Sequence, residues 1–121
     1  MLTIDHVQIA MPVGGEGQAR AFFGGLLELA EIAKPVDLAA NGGCWFKVGA
    51  LQLHLGTEAG FRAAQKAHVA MRTDRLVDLR QRLAAANHAV FDDTPVYGRA
   101  RFFTADPFGN RIEFIESPAA A

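Results

Sequence analysis

Cysteine is nearly absent. Cys44 stands alone in 121 residues, so no internal disulfide can brace the fold. Its neighbours Gly43 and Trp45 bring no cationic charge to lower the thiol pKa, which argues against a nucleophilic role. A dominant charge of one sign is missing too. Twelve Lys+Arg face thirteen Asp+Glu, a formal net charge of −1, and that balance points away from nucleic acid and membrane surfaces as partners. No apolar run of spanning length and no leader-like stretch is visible, so a cytoplasmic protein is expected. Compact metal motifs such as a Cys-x-x-Cys pair are also lacking. What is present is ordinary for a globular chain: 50% hydrophobic and 21% charged residues, in a length that suits one domain with a real core.

The hydrophobic pattern divides the chain into alternating and helical stretches. Leu2 to Met11 alternate like a strand, and Pro12-Val-Gly-Gly15 ends it. From about Glu16 to Leu29, Ala19, Phe22, Phe23, Leu26 and Leu27 form the stripe of an amphipathic helix, weakened by Gly24 and Gly25. Ala30 to Lys34 reads as a short strand before Pro35, followed by a loop to Gly43. Cys44 to Val48 and Leu51 to Leu55 read as a hairpin around Gly49-Ala50. After a linker over 56–65, Lys66 to Arg72 is a strand. Thr73 or Asp74 then caps a helix from Arg75 to Ala86 that Asn87 terminates. Val90 to Asp92 is a short strand and 93–98 a loop. The segment Arg101 to Glu116 is strand, turn at Asp106-Pro-Phe-Gly-Asn110, strand. Ser117 to Ala121 has nothing to bury and is expected to fray.

The element order repeats. It predicts an α+β fold of two βαβββ modules, about 1–58 and 64–117, within one domain over 1–121. They are expected to form a curved mixed sheet with the helices on its outer face. Strand parity then sorts the polar residues. Val7, Ile9, Leu53, Leu55, Val69, Met71, Ile112 and Phe114 take the helix side; His6, His54, His68 and Glu113 take the other. Three imidazoles and a carboxylate suit a divalent cation. A lone strand histidine is more often a hydrogen-bonded structural residue, and Glu113 could pair with Arg111 or Arg101. Joint placement favours the metal. Gln8, Trp45, Lys47, Gln52, Arg101 and Phe103 share the same side and are candidates for binding a small substrate. The alternative makes Lys47 and Arg101 solvated charges and puts Trp45 and Phe103 in a dimer interface.

Asp106-Pro-Phe-Gly-Asn-Arg-Ile-Glu-Phe-Ile-Glu116 resembles the C-terminal signature of the vicinal oxygen chelate superfamily. That group includes glyoxalase I, bleomycin-resistance proteins, fosfomycin-resistance thiol transferases and extradiol dioxygenases. Ile4-Asp-His6-Val-Gln-Ile-Ala10, Ala21-Phe22-Phe23, Gly42-Gly43-Cys44-Trp45-Phe46 and Leu53-His54-Leu55-Gly56 are similar to it as well. The resemblance implies that His6, His68 and Glu113 bind a divalent metal (Zn, Ni, Fe, Mn or Co), with Glu113 also catalytic. It places His54 where glyoxalase I has a glutamate ligand implicated in proton transfer. A histidine there keeps a ligand and removes one negative charge, which disfavours two-base isomerisation. It further implies a small oxygen-rich substrate chelated through vicinal oxygens, and a homodimer. The chain is shorter than the common paired-domain extradiol dioxygenases, and no potassium-binding loop of the fosfomycin enzymes is identifiable. It retains the metal set that bleomycin-binding members lack. A metal-dependent lyase, transferase or dioxygenase is therefore expected, and a non-catalytic binder that sequesters a small toxic molecule is the alternative.

Overall fold

The computed structural model describes residues 1–119. The chain divides into two units, Met1–Ala63 and Ala64–Ala121, each with its own four-stranded mixed sheet. The first unit runs β1 (His6–Met11), α1 (Glu16–Ala19) continued by a π-helical stretch (Arg20–Leu26), β2 (Ala30–Ile32), α2 (Val36–Ala39), β3 (Cys44–Val48) and β4 (Leu51–Thr57). The second runs β5 (His68–Thr73), α3 (Leu76–Ala85), β6 (Phe91–Val96), β7 (Arg99–Ala105) and β8 (Arg111–Glu116). The sheet orders, β1-β4-β3-β2 and β5-β8-β7-β6, are equivalent. In each unit the first and last strands pair in parallel, with the first strand at the sheet edge. The repeat expected from the element order is thus the architecture of the chain, expressed as one sheet per unit.

In the first unit the expected strand from Leu2 begins only at His6, because pairing with β4 starts at His6↔Gln52. Leu2 and Ile4 remain exposed. The expected helix ends at Leu26 and widens after Ala19. The Leu27 N–H reaches the Phe22 carbonyl at 2.9 Å, an i→i−5 bond that belongs to π winding. Gly24 and Gly25 make ordinary α winding costlier here, and both Phe22 and Phe23 end up buried. These two rings meet edge to face, and Phe23 lies 5.7 Å from Phe46 of β3. Met11, Cys44, Phe46, Leu53 and Leu55 complete this core. Where a loop was expected before Gly43, Pro35 leads into the single turn α2.

In the second unit α3 packs on β8. Leu79, Leu83, Phe102, Ile112 and Phe114 are buried. Neither Thr73 nor Asp74 caps α3. Arg75 takes the cap position, and its N–H donates to Thr73 Oγ1 at 3.0 Å. Asn87 does terminate the helix, at φ +66. Its N–H donates to the Ala84 carbonyl and that of His88 to the Leu83 carbonyl, a Schellman pair. The loop expected over 93–98 is instead strand up to Val96. Pro95 is tolerated because β6 is an edge strand with a register irregularity between Asp93 and Val96. Tyr97 and Gly98, both at positive φ, close the hairpin. The Ser117 N–H donates to the Thr73 carbonyl at 2.9 Å, so the tail is held at least that far. The fraying expected of Ala120 and Ala121 lies outside the described residues.

Candidate functional site

Register alone places the polar residues of the first unit in a patch on the sheet face away from the helix. His6 stands beside Gln52, and Gln8 beside His54, across the parallel pair. Trp45 and Lys47 of β3 stand opposite His54 and Gln52. Lys47 is exposed on this face. His54 is the centre of a three-ring stack, 4.3 Å from His6 and 3.8 Å from Trp45, at interplanar angles of 14° and 2°. It is only 5% exposed. Burial pushes its imidazole below the ordinary value, and the neighbouring His6 adds to this. His54 Nε2–H donates to Gln52 Oε1 at 2.9 Å, which leaves its lone pair on Nδ1. His6 Nδ1–H donates to Asp5 Oδ2 at 2.8 Å, leaving the lone pair on Nε2. A carboxylate on the far nitrogen is the usual support of a histidine that binds metal.

The second unit presents the equivalent pair. His68 stands on β5 and Glu113 on the adjacent β8. His68 Nδ1–H donates to the Lys66 carbonyl at 3.1 Å, and its Nε2 lies 2.9 Å from Glu113 Oε1. With the Nδ1 proton so engaged, a neutral ring turns a lone pair toward a carboxylate oxygen. A proton or a cation held between the two groups makes this contact favourable. Glu113 is 6% exposed, and Arg101 Nη1 lies 3.5 Å from the same carboxylate oxygen. Arg101 is further engaged with the Thr94 carbonyl at 2.8 Å and with Asp93 at 3.6 Å. Phe103 packs edge-on to His68 and lies under the guanidinium groups of Arg101 and Arg111.

Each unit therefore brings two of the four expected metal donors together, His6 with His54 and His68 with Glu113. Within neither unit do three or more His, Cys, Asp or Glu side chains gather, among the described residues. The donor chemistry of both pairs fits a divalent metal. Gln8, Trp45, Lys47 and Gln52 share the face of the first pair, and Arg101 and Phe103 that of the second. The sequence reading missed Lys34 and Gly56, which border a cleft beside Trp45. The only sequence signal at Lys34 is a lysine immediately before Pro35. Cys44 is buried, and its thiol is pushed up to about 11, chiefly by burial. That agrees with its expected lack of a nucleophilic role.

A glyoxalase family protein from Bacillus anthracis superposes with a TM-score of 0.92 at 44% identity, covering 98% of this chain and 97% of that one. Two more distant structures share the fold. A lactoylglutathione lyase from Agrobacterium tumefaciens has a TM-score of 0.75 at 19% identity, over 95% of this chain and 93% of that one. A fosfomycin resistance protein from Listeria monocytogenes has a TM-score of 0.77 at 12% identity, over 98% and 95%. No family model and no curated protein sequence matches the chain. At this identity and coverage the chain belongs to the glyoxalase/bleomycin resistance/dioxygenase superfamily, the vicinal oxygen chelate proteins.

Proposed function

We propose that this protein is a metal-dependent enzyme of that superfamily, of the lyase, transferase or dioxygenase type. Its substrate is a small oxygen-rich molecule held through vicinal oxygens. His6, His54, His68 and Glu113 are the residues proposed to bind metal. The observation that carries this reading is the His68–Glu113 contact, a supported imidazole nitrogen turned onto a buried carboxylate at 2.9 Å. Its counterpart in the first unit occupies the equivalent pair of strands. A bound divalent cation would supply Lewis-acid polarisation of the substrate oxygens. Asp5 and the Lys66 carbonyl orient His6 and His68 by holding their Nδ1 protons. Arg101 keeps Glu113 in place through the 3.5 Å contact and so acts as a positioning residue. Glu113 is the carboxylate that would accept or return a proton. Trp45 packs on His54 and Phe103 on His68.

Metal analysis of protein purified without chelators or a metal-affinity tag tests the assignment. Bound divalent metal is expected, and it should be lost on His6→Ala or His68→Ala substitution. Losing an outer partner of a metal ligand typically costs about 10–100-fold in affinity, so removing a ligand should cost at least that. Metal retained in both variants would remove the assignment. Metal bound without turnover of any vicinal-oxygen substrate would favour the sequestering alternative.

A further inference from the structure

Beside the His54 stack, the first unit holds an open cleft of about 250 Å³, bordered by Gln8, Lys34, Leu38, Asn41, Trp45 and Gly56 among others. We propose that this cleft is a carboxylate-recognising subsite, that Lys34 is its specificity-determining residue, and that the substrate is a small carboxylate anion. The inference rests on the small-molecule reading of this face and names the chemical class the site takes.

Lys34 is half-buried at the cleft wall, and its ammonium donates to the Gly42 carbonyl. An ammonium carries three donors, so two remain for a ligand. The carboxylate of Glu16 lies within electrostatic reach of Lys34, and its Oε2 accepts the Gly43 N–H at 2.8 Å. The Gln8 amide is the second donor group. It is seated directly over Gly56, where a Cβ would come within 2.6 Å of Gln8 Nε2 and 2.9 Å of its Cδ. Gly56 has no need of glycine for its backbone angles, since it is not at positive φ. The missing side chain is what leaves room for the amide. Gln8 is the register partner of His54, and Trp45 stacks on the same imidazole. A ligand anchored at Lys34 and Gln8 thus extends along one sheet face to His54.

One ammonium and one amide suit the two oxygens of a carboxylate. A phosphate or phosphonate dianion would call for more cationic donors than the single lysine of this wall. The cleft is also below the roughly 300–1,000 Å³ usual for drug-sized ligands, which points to a small acid.

The test uses full-length protein freed of metal with a chelator, so the outcome does not depend on the ligand assignment. Lactate is the probe and lactamide its neutral counterpart. Binding is followed by Trp45 emission and by the side-chain amide signals of Gln8. Lactate should bind, lactamide at least about tenfold more weakly, and Lys34→Gln should abolish the difference, since a hydrogen bond to a charged group is worth about that factor. Gly56→Ala tests the geometry without touching Lys34. The three atoms nearest its Cβ all belong to the Gln8 side chain, which can swing aside, so the protein should fold with little change in thermal stability and bind lactate several-fold more weakly. Equal binding of lactate and lactamide, or unaltered lactate binding in Lys34→Gln, overturns the inference. Lactate binding through Lys34 in a protein that takes up no metal would retain the inference and remove the metal reading.

Discussion

His54 is the residue that most separates this chain from the glyoxalase I pattern it resembles. An imidazole in place of a carboxylate would make the net charge of a metal site there more positive by one unit, which would favour Lewis acidity, and it removes a carboxylate base. The parent protein is therefore expected to isomerise the methylglyoxal hemithioacetal poorly. His54→Glu should retain metal and gain that activity, read by metal content and isomerase rate together. His54→Ala binding metal as tightly as the parent would show that His54 is no ligand. Cys44 is a simpler case. Its thiol is buried and titrates at about 11, so almost no thiolate exists at pH 8. Iodoacetamide at pH 8 should leave Cys44 unmodified in the folded protein and modify it once denaturant is added, with mass spectrometry as the readout.

At the scale of elements, the β7–β8 turn is organised around one buried carboxylate. Asp106 Oδ1 accepts the N–H groups of Phe108 and Asn110, each at 2.9 Å, and Oδ2 accepts Asn110 Nδ2 at 2.8 Å. Gly109, at φ +93, supplies the left-handed step. Asp106→Ala would leave these donors without their acceptor and should cost about 1–3 kcal/mol, measured by urea unfolding. Burial raises the Asp106 carboxyl above its ordinary 3.8 despite these bonds. The folded state therefore holds the proton more tightly than the unfolded chain. The stability this group contributes is present below pH 3.8 and is lost as pH rises through the folded-state pKa. Asp106→Asn, which carries no charge, should accordingly gain on the parent across that window. The turn was readable in advance because Asp, Pro, Gly and Asn each have a local reason to be in it. Tyr97 was not, since no side-chain rule favours tyrosine at its φ of +48. The register of β6 with β7 places it there.

For the whole molecule, the superfamily often forms dimers, and a homodimer is proposed. Light scattering at micromolar concentration should give about twice the 13.0 kDa chain mass; a clean monomer would count against it. The sequence argument for a dimer pointed to Trp45 and Phe103 as an open apolar face. Of these, Trp45 is half-buried and stacks on His54, and Phe103 is buried among His68, Arg101 and Arg111. Large exposed apolar side chains are found elsewhere, at Phe91 and Tyr97 for example. By itself the sequence determined the repeated order of elements along the chain and the side of each sheet on which His6, His54, His68 and Glu113 lie. Side-chain alternation has a period of two and needs no knowledge of neighbours, so a run such as Gln52 to Leu55 reveals its faces directly. Only tertiary structure decided the π winding before Leu27, the strand pairing that carries β6 past Asp93, the engagement of Arg101 with Glu113, and the bringing of Lys34 and Gln8 to one cleft. Each depends on contacts between residues distant along the chain, and no local period encodes which side chains such contacts bring within hydrogen-bonding distance.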